Sequence, residues 1–502
     1  MNIANHRLLR PLMLGGTGSD VGKSLLTAGL CRIFLQDGYS PAPFKAQNMA
    51  LNSFVTPEGL EIGRAQAVQA EAAGTECRAE MNPVLMKPTG EKVAQVIVLG
   101  RPIGNRSAAS YFRKDNKREL REIVCKAFDR LASEYNPVVM EGAGSVAELN
   151  LLETDIVNMP MALYAGASVI LVADIDRGGV FAQAYGSIWL LPEEYRRLIK
   201  GIIVNKFRGD ISLFNEGRRI LELKCGVPVL GVVPFDPELH IEEEDRVSVL
   251  ARHTCHTESD LVNVAVVGLR HLSNFTDFDN ISRDPRVHIY LTADPAEISA
   301  ADIIILPGSK NTLGDLHALR SNGCAEAIRK AAASGKTVFG ICGGYQMMGR
   351  TVADPEGVEG EPSAAEGLGL LPAETVLSGI KTTVRTRFRV SGLESLCEGY
   401  EIHNGLTSID SGAEAMVYKE DGTSDGCKVS EKVMGCYMHG ILDNQEVVDM
   451  IVGPYASLRL PETSAPGVSY REFKETQYDR LAAHLRKHLD IEMIYQIMRE
   501  DD

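Results

Sequence analysis

The sequence has no Cys-x-x-Cys pair, although it carries ten cysteines in 502 residues. Their irregular spacing excludes a zinc ribbon or a dithiol redox motif, and a chain this long is not a disulfide scaffold. His253-Thr-Cys255-His256 has the residue types of a metal tract but no second ligand cluster, so it reads as polar linker. No uninterrupted apolar run reaches the roughly 18 residues that cross a bilayer. The first ten residues are charged and lack the apolar core of a signal peptide. The expectation is a cytoplasmic protein with no membrane insertion. A basic excess is missing too: Lys and Arg total 52 against 67 Asp and Glu, a net charge of -15 spread along the chain. Phosphate backbones need a basic face, so no nucleic-acid partner is expected. Internal repeats and low-complexity segments are absent.

What is present is ordinary for a folded protein, 44% hydrophobic and 24% charged residues. The length exceeds what one hydrophobic core supports, so two domains are expected. From residue 11 to about 234, short apolar runs alternate with amphipathic stretches of helix length. The runs lie at 12–14, 93–99, 138–140, 169–173, 202–204 and 229–233. Runs without polar alternation suit strands buried on both faces, hence a parallel sheet between helices. The segment 235–260 turns to Pro, Glu, Asp and His, and reads as an acidic linker. A second alternation follows, with strands expected at 262–267, 303–306, 337–341 and 433–438. The reading is α/β: two doubly wound domains at 1–234 and 261–447, then a helical tail at 448–502.

Gly15-Gly16-Thr17-Gly18-Ser19-Asp20-Val21-Gly22-Lys23-Ser24 leaves an expected strand and enters an expected helix. Such glycines let backbone N–H groups turn toward phosphates at a helix N-terminus. Lys23 is placed to reach the β- and γ-phosphates of ATP, and the Ser24 hydroxyl to bind Mg²⁺. The loop is one residue longer than G-x-x-x-x-G-K-[ST] counted from Gly16, with Thr17 where the first glycine would stand. Further on, Gly340-Ile341-Cys342-Gly343-Gly344 follows an apolar run and opens a helix. A cysteine on such an elbow is held exposed for nucleophilic work, and the N–H groups beside it can face an oxyanion.

The long phosphate loop resembles that of dethiobiotin synthetase and its relatives, which phosphorylate carboxylates. On that resemblance Gly16, Thr17, Gly18 and Gly22 would cradle phosphate, Glu141 would be a second Mg²⁺ partner, and Asn205-Lys206 would meet adenine. The elbow resembles the class I glutamine amidotransferases, with a flavodoxin-like sheet. That resemblance makes Cys342 the nucleophile, completes the oxyanion hole with Gly308 and Gly343, and supplies His439 as the base. The Glu expected two residues after the histidine is Ile441 here, so a Cys–His dyad is the reading.

Four further segments look like the cobyric acid synthase family: Phe44-Lys45-Ala-Gln47-Asn48-Met49, Ala173-Asp174-Ile-Asp176-Arg177-Gly178-Gly179, Ser273-Asn274-Phe275-Thr276-Asp277-Phe278-Asp279 and Gly399-Tyr400-Glu401-Ile-His403-Asn404-Gly405. The resemblance implies glutamine-dependent amidation of carboxylates b, d, e and g of adenosylcobyrinic acid a,c-diamide. Contacts to so anionic a corrinoid are expected from Arg177, Arg64 and Lys45, since guanidinium and ammonium pair with carboxylates. Asp174 and Asp176 fit either Mg²⁺ or Arg177. Two rivals share these parts: a cobyrinic acid a,c-diamide synthase, and a P-loop ATPase switch with a degenerate amidotransferase as binding module.

Overall fold

Six strands with apolar residues on both faces form the centre of the first unit in this computed structural model, which describes residues 8–88, 93–107, 114–242, 257–258, 260–460 and 463–499. The sheet order is Ala42–Phe44, Val138–Glu141, Leu12–Gly16, Ser168–Asp174, Ile199–Phe207 and Val229–Pro234, all parallel. Every residue of Leu12–Gly16 and Ser168–Asp174 is buried, as expected of strands covered by helices on both sides. Five of the six apolar runs read from the sequence stand in this sheet. The run at 93–99 does not: Val93–Val98 belongs to a separate four-stranded mixed sheet with Gln47–Met49, Val84–Pro88 and Arg101–Ser107. Its neighbours are short polar-interrupted strands, and their alternation was too weak to reveal a second sheet. His253, Cys255 and His256 lie outside the described residues.

The second unit has the sheet order Val287–Thr292, Val262–Val267, Ile303–Leu306, Thr337–Ile341, Val433–Cys436 and Cys427–Ser430, parallel except for the last strand. All four strands expected from the sequence are here. A second sheet, built on the paired strands Ala373–Val390 and Cys397–Ile409, extends from it and meets the first unit. There Tyr400 Oη donates to Ser53 O at 3.3 Å, and Tyr400 packs with Val55 and Ile402.

The tail divides. Gln445–Arg459 packs into the second unit through Val447, Val448, Ile451 and Val452. Tyr470–His488, opened by a capping box between Ser469 and Glu472, returns to the first unit. Its Leu481 and Leu485 sit over Gly29 of the helix Lys23–Gln36, where an added Cβ would lie 2.3 Å from Leu485 Cδ1. Arg32 pairs with Glu475 at 2.8 Å and Asp479 at 2.7 Å.

Candidate active site

The strand Thr337–Ile341 ends in a turn too sharp for most side chains, and Cys342 stands on it with φ 51° and ψ -110°. A non-glycine residue in that region stores strain, which persists only where the surroundings enforce it. Here Cys342 N donates to Cys436 O at 2.8 Å, and Gln346 N donates to Cys342 O at 3.0 Å. The flanking glycines are required by contact: a Cβ on Gly344 would lie 2.0 Å from Leu306 O, and one on Gly343 2.7 Å from Ser309 N. Gly308, on a short strand paired with Leu272–Ser273, sits close enough that its Cβ would be 3.2 Å from His439 Cε1. Cys342, Gly343, Gly308 and His439 therefore converge, as the sequence led one to expect.

The sequence did not reveal a third group, and the structure supplies one. Asp277 Oδ2 lies 2.7 Å from His439 Nδ1, and its Oδ1 accepts from Gly440 N at 2.9 Å. Both side chains are buried. Burial opposes charge on the ring, but Asp277 and Cys342 outweigh it and push His439 up to about 10. Tyr400 stacks on the imidazole with ring centroids 5.4 Å apart. Ile441, where a Glu was expected, is fully buried in the apolar core. Asp277 comes instead from the Asn-Phe-Thr-Asp-Phe-Asp stretch, 162 residues before the histidine. That stretch stood out in the sequence, though nothing local marked its acid as a partner for His439. It is also tied to the first unit: Ser53 N donates to Asn274 Oδ1 at 3.0 Å and Phe275 N to Asn52 Oδ1 at 3.2 Å.

A cavity of about 50 Å³ opens on the thiol. Cys342, His439, Gln346 and Glu359 line it, with Lys310 and Lys381 from the second unit and Lys87 from the first. Lys87 and Lys381 converge on Glu61 of the first unit, the former at 2.9 Å. Burial opposes the Glu61 charge, yet these two lysines hold its carboxyl far below the usual range.

The phosphate loop forms a second centre. Lys23 Nζ donates to Gly18 O at 2.9 Å and Gly144 O at 3.1 Å, curling back over its own loop. Gly22 has φ 92°, and a Cβ there would strike Asn205 Nδ2 at 2.1 Å. Ser24 Oγ donates to Glu141 Oε1 at 2.8 Å, and Lys45 Nζ reaches the same oxygen at 2.8 Å. Gln69, which the sequence reading missed, donates to Glu141 Oε2 at 2.6 Å. Burial disfavours charge on Glu141, but Lys45 keeps its carboxyl below its ordinary value. Asn205 donates to Val21 O at 2.9 Å and Lys206 to Asp20 O, so both brace the loop from the neighbouring strand. Among the described residues no three His, Cys, Asp or Glu side chains gather in a metal-holding cluster.

The corrinoid candidates scatter. Lys45 belongs to the phosphate centre. Arg64 is buried against Glu242 at 2.6 Å, in the join between the units rather than on an open surface. Arg177 is exposed and pairs with Asp20 at 3.3 Å, not with Asp174 or Asp176. Those two carboxylates pair with Lys206 at 3.2 Å and Arg208 at 2.9 Å.

Residues 12–249 match the CobQ/CobB/MinD/ParA nucleotide binding domain, and residues 263–447 the CobB/CobQ-like glutamine amidotransferase domain. Cobyric acid synthase of Bacteroides fragilis is 59% identical over 99% of this chain and 100% of its own length. The proteins of that name from Phocaeicola vulgatus and Streptococcus sanguinis are 57% and 44% identical, over 98% and 99% of this chain and 99% and 100% of their own lengths. Identity at that level, sustained through both units and the returning tail, means that the chain belongs to the cobyric acid synthase family.

Proposed function

We propose that the chain is an ATP- and glutamine-dependent amide ligase of cobalamin biosynthesis. It converts carboxylates b, d, e and g of adenosylcobyrinic acid a,c-diamide to amides, giving adenosylcobyric acid. The observation that supports this is one chain holding both a strained cysteine beside a buried histidine–aspartate pair and a glycine-rich phosphate loop backed by Glu141.

In this reading Cys342 attacks the γ-amide of glutamine, and the N–H groups of Gly308 and Gly343 receive the oxyanion. His439, kept in its tautomer by Asp277, takes the thiol proton and delivers it to departing ammonia. At the other centre, the carboxylate of the corrinoid attacks the γ-phosphate of ATP, which Lys23 and the loop N–H groups hold. Ammonia then displaces phosphate from the acyl phosphate, leaving ADP, phosphate and the amide. Ammonium is a poor nucleophile, so a protected passage between the units preserves the free base. Ser24 and Glu141, whose oxygens lie 2.8 Å apart beside the loop, are the residues that would hold Mg²⁺. When bound, that ion would neutralise charge on the transferring phosphoryl group. Asn205 and Lys206, which brace the loop at Val21 and Asp20, would meet adenine, and the exposed Arg177 would exchange Asp20 for a corrinoid carboxylate. The cytoplasm, which supplies ATP and glutamine, is the expected location.

The test follows corrinoid mass over time with ATP, Mg²⁺ and glutamine, each amidation lowering it by about one unit. Stepwise loss that fails with Cys342→Ala on glutamine, and returns on ammonia, supports both halves. Amidation of cobyrinic acid instead would favour the a,c-diamide synthase reading. Equal inertness of wild type and Cys342→Ala, with ATP still hydrolysed, would favour the ATPase switch.

A further inference from the structure

The three lysines around the thiol cavity are not equivalent. Lys87 and Lys381 each pair with Glu61, and Lys87 also donates to Ser53 Oγ at 2.9 Å. Lys310 lines the same cavity, two residues beyond Gly308, and has no carboxylate partner within ion-pair distance among the described residues. Among the described residues its ammonium hydrogen-bonds to a neutral acceptor, Gln95 Oε1 of the first unit, at 3.0 Å. Gln95 Oε1 is also 3.3 Å from Lys381 Nζ, so a single amide oxygen serves two cations. An ammonium carries three donors, and that of Lys310 spends one of them on Gln95. Backbone bonding fixes where the side chain starts, since Lys310 N donates to His271 O at 2.9 Å.

A cation held beside a nucleophile, with no carboxylate at ion-pair distance among the described residues and in a wall that pairs its other lysines, can receive an anion. The substrate consumed there carries one: with its γ-amide at Cys342, free glutamine presents an α-carboxylate to the far wall. We propose that Lys310 binds the α-carboxylate of glutamine, making the site selective for the free amino acid over a glutamine amide or a glutaminyl side chain. This rests on reading Cys342 as the glutaminase nucleophile. Gln95 holds the ammonium in place without neutralising it, so the first unit helps to shape the glutamine site of the second.

The electrostatics agree. Burial, with Lys381 and Lys87 nearby, pulls Lys310 down to about 7, while Glu61 and Glu359 act in the opposite sense. An arriving carboxylate favours the charged form, so glutamine binding takes up a proton and weakens as pH rises past about 7.

The experiment compares hydrolysis of L-glutamine with that of L-glutaminamide, which keeps the γ-amide but lacks the α-carboxylate, in the full-length chain. Loss of a charge-assisted hydrogen bond predicts that Lys310→Met lowers the ratio of kcat/KM for glutamine over glutaminamide by roughly 10- to 150-fold, mainly through KM. Lys310→Arg, which retains the charge, should recover part of that ratio and flatten the rise of KM above neutral pH. If Lys310→Met depresses both substrates equally, with the ratio unchanged, Lys310 serves only the fold and the proposal fails. A wild type inert toward both substrates would overturn the reading of Cys342, and the proposal with it. Melting temperatures of the two variants separate loss of recognition from loss of fold.

Discussion

Replacing Asp277 by Asn tests the catalytic constellation at its least expected member. The substitution keeps the shape but removes the charge that faces His439 Nδ1 at 2.7 Å, and it disturbs the bond from Gly440 N at 2.9 Å. Both partners are buried, so water does not replace what is lost. A charge-assisted bond to a buried imidazole, together with the loss of tautomer control, is worth about 2–4 kcal/mol. That corresponds to a fall of about 30- to 1,000-fold in glutamine-driven turnover. Ammonia release measured with glutamine, beside corrinoid amidation driven by added ammonium, separates this from a global defect. The pH dependence of stability gives a second check. Asp277 helps to raise His439 to about 10 against the opposing effect of burial. The stabilisation is therefore complete below the ordinary histidine value of about 6.5 and fades as pH climbs through about 10. The melting-temperature gap between wild type and Asp277→Asn should close over that window. Glutaminase activity within about threefold of wild type would refute the argument, because a dyad would then suffice.

Lys23→Met should abolish amidation with glutamine and with ammonium alike, by at least about 100-fold, since both routes need the activated carboxylate. Loss confined to the glutamine route would contradict the assignment. Gly344→Ala drives a Cβ to 2.0 Å from Leu306 O, a backbone atom that cannot swing aside. It should lower stability by about 1–3 kcal/mol and displace the cysteine turn, visible as a lower Tm and slower labelling of Cys342 by a glutamine-like electrophile. Burial pushes Asp443 up to about 8, with Lys474 and Arg64 pulling the other way. The folded chain keeps that proton while the unfolded chain gives it up near pH 4, so stability falls as pH rises between the two values. Asp443→Asn should gain melting temperature relative to wild type from about pH 5 to about pH 8, and a pH-independent difference would count against this.

Local chemistry made much of the molecule legible in advance. The apolar runs located five strands of the first sheet because they are short, rich in β-branched residues and bounded by turns, the mark of strands buried on both faces. Cys342 and Lys23 were readable because a sharp turn into a helix demands glycines at fixed offsets. Asp277 was not, since its partner lies 162 residues away and the contact exists only after folding. Arg64 misled for a related reason. A cation in sequence looks available, and only packing revealed Glu242 closing on it at 2.6 Å. The long pair Ala373–Val390 and Cys397–Ile409 escaped notice because its partly exposed strands lack the unbroken apolar runs of the central sheets.

The return of Tyr470–His488 to the first helix sets an order on how the molecule comes into being. A chain emerges from the ribosome from its N-terminus, and domains generally fold as they become complete. The segment 260–460 has all the strands of its central sheet and can close while synthesis continues. The first unit cannot, because Leu481, Leu485, Ile494 and Met498 belong to a cluster that includes Leu12, Leu14 and Leu26. The phosphate-loop unit is therefore finished last, after the cysteine unit. A chain cut short anywhere before its final helices leaves the phosphate-loop unit with an open apolar face, marked for aggregation or degradation.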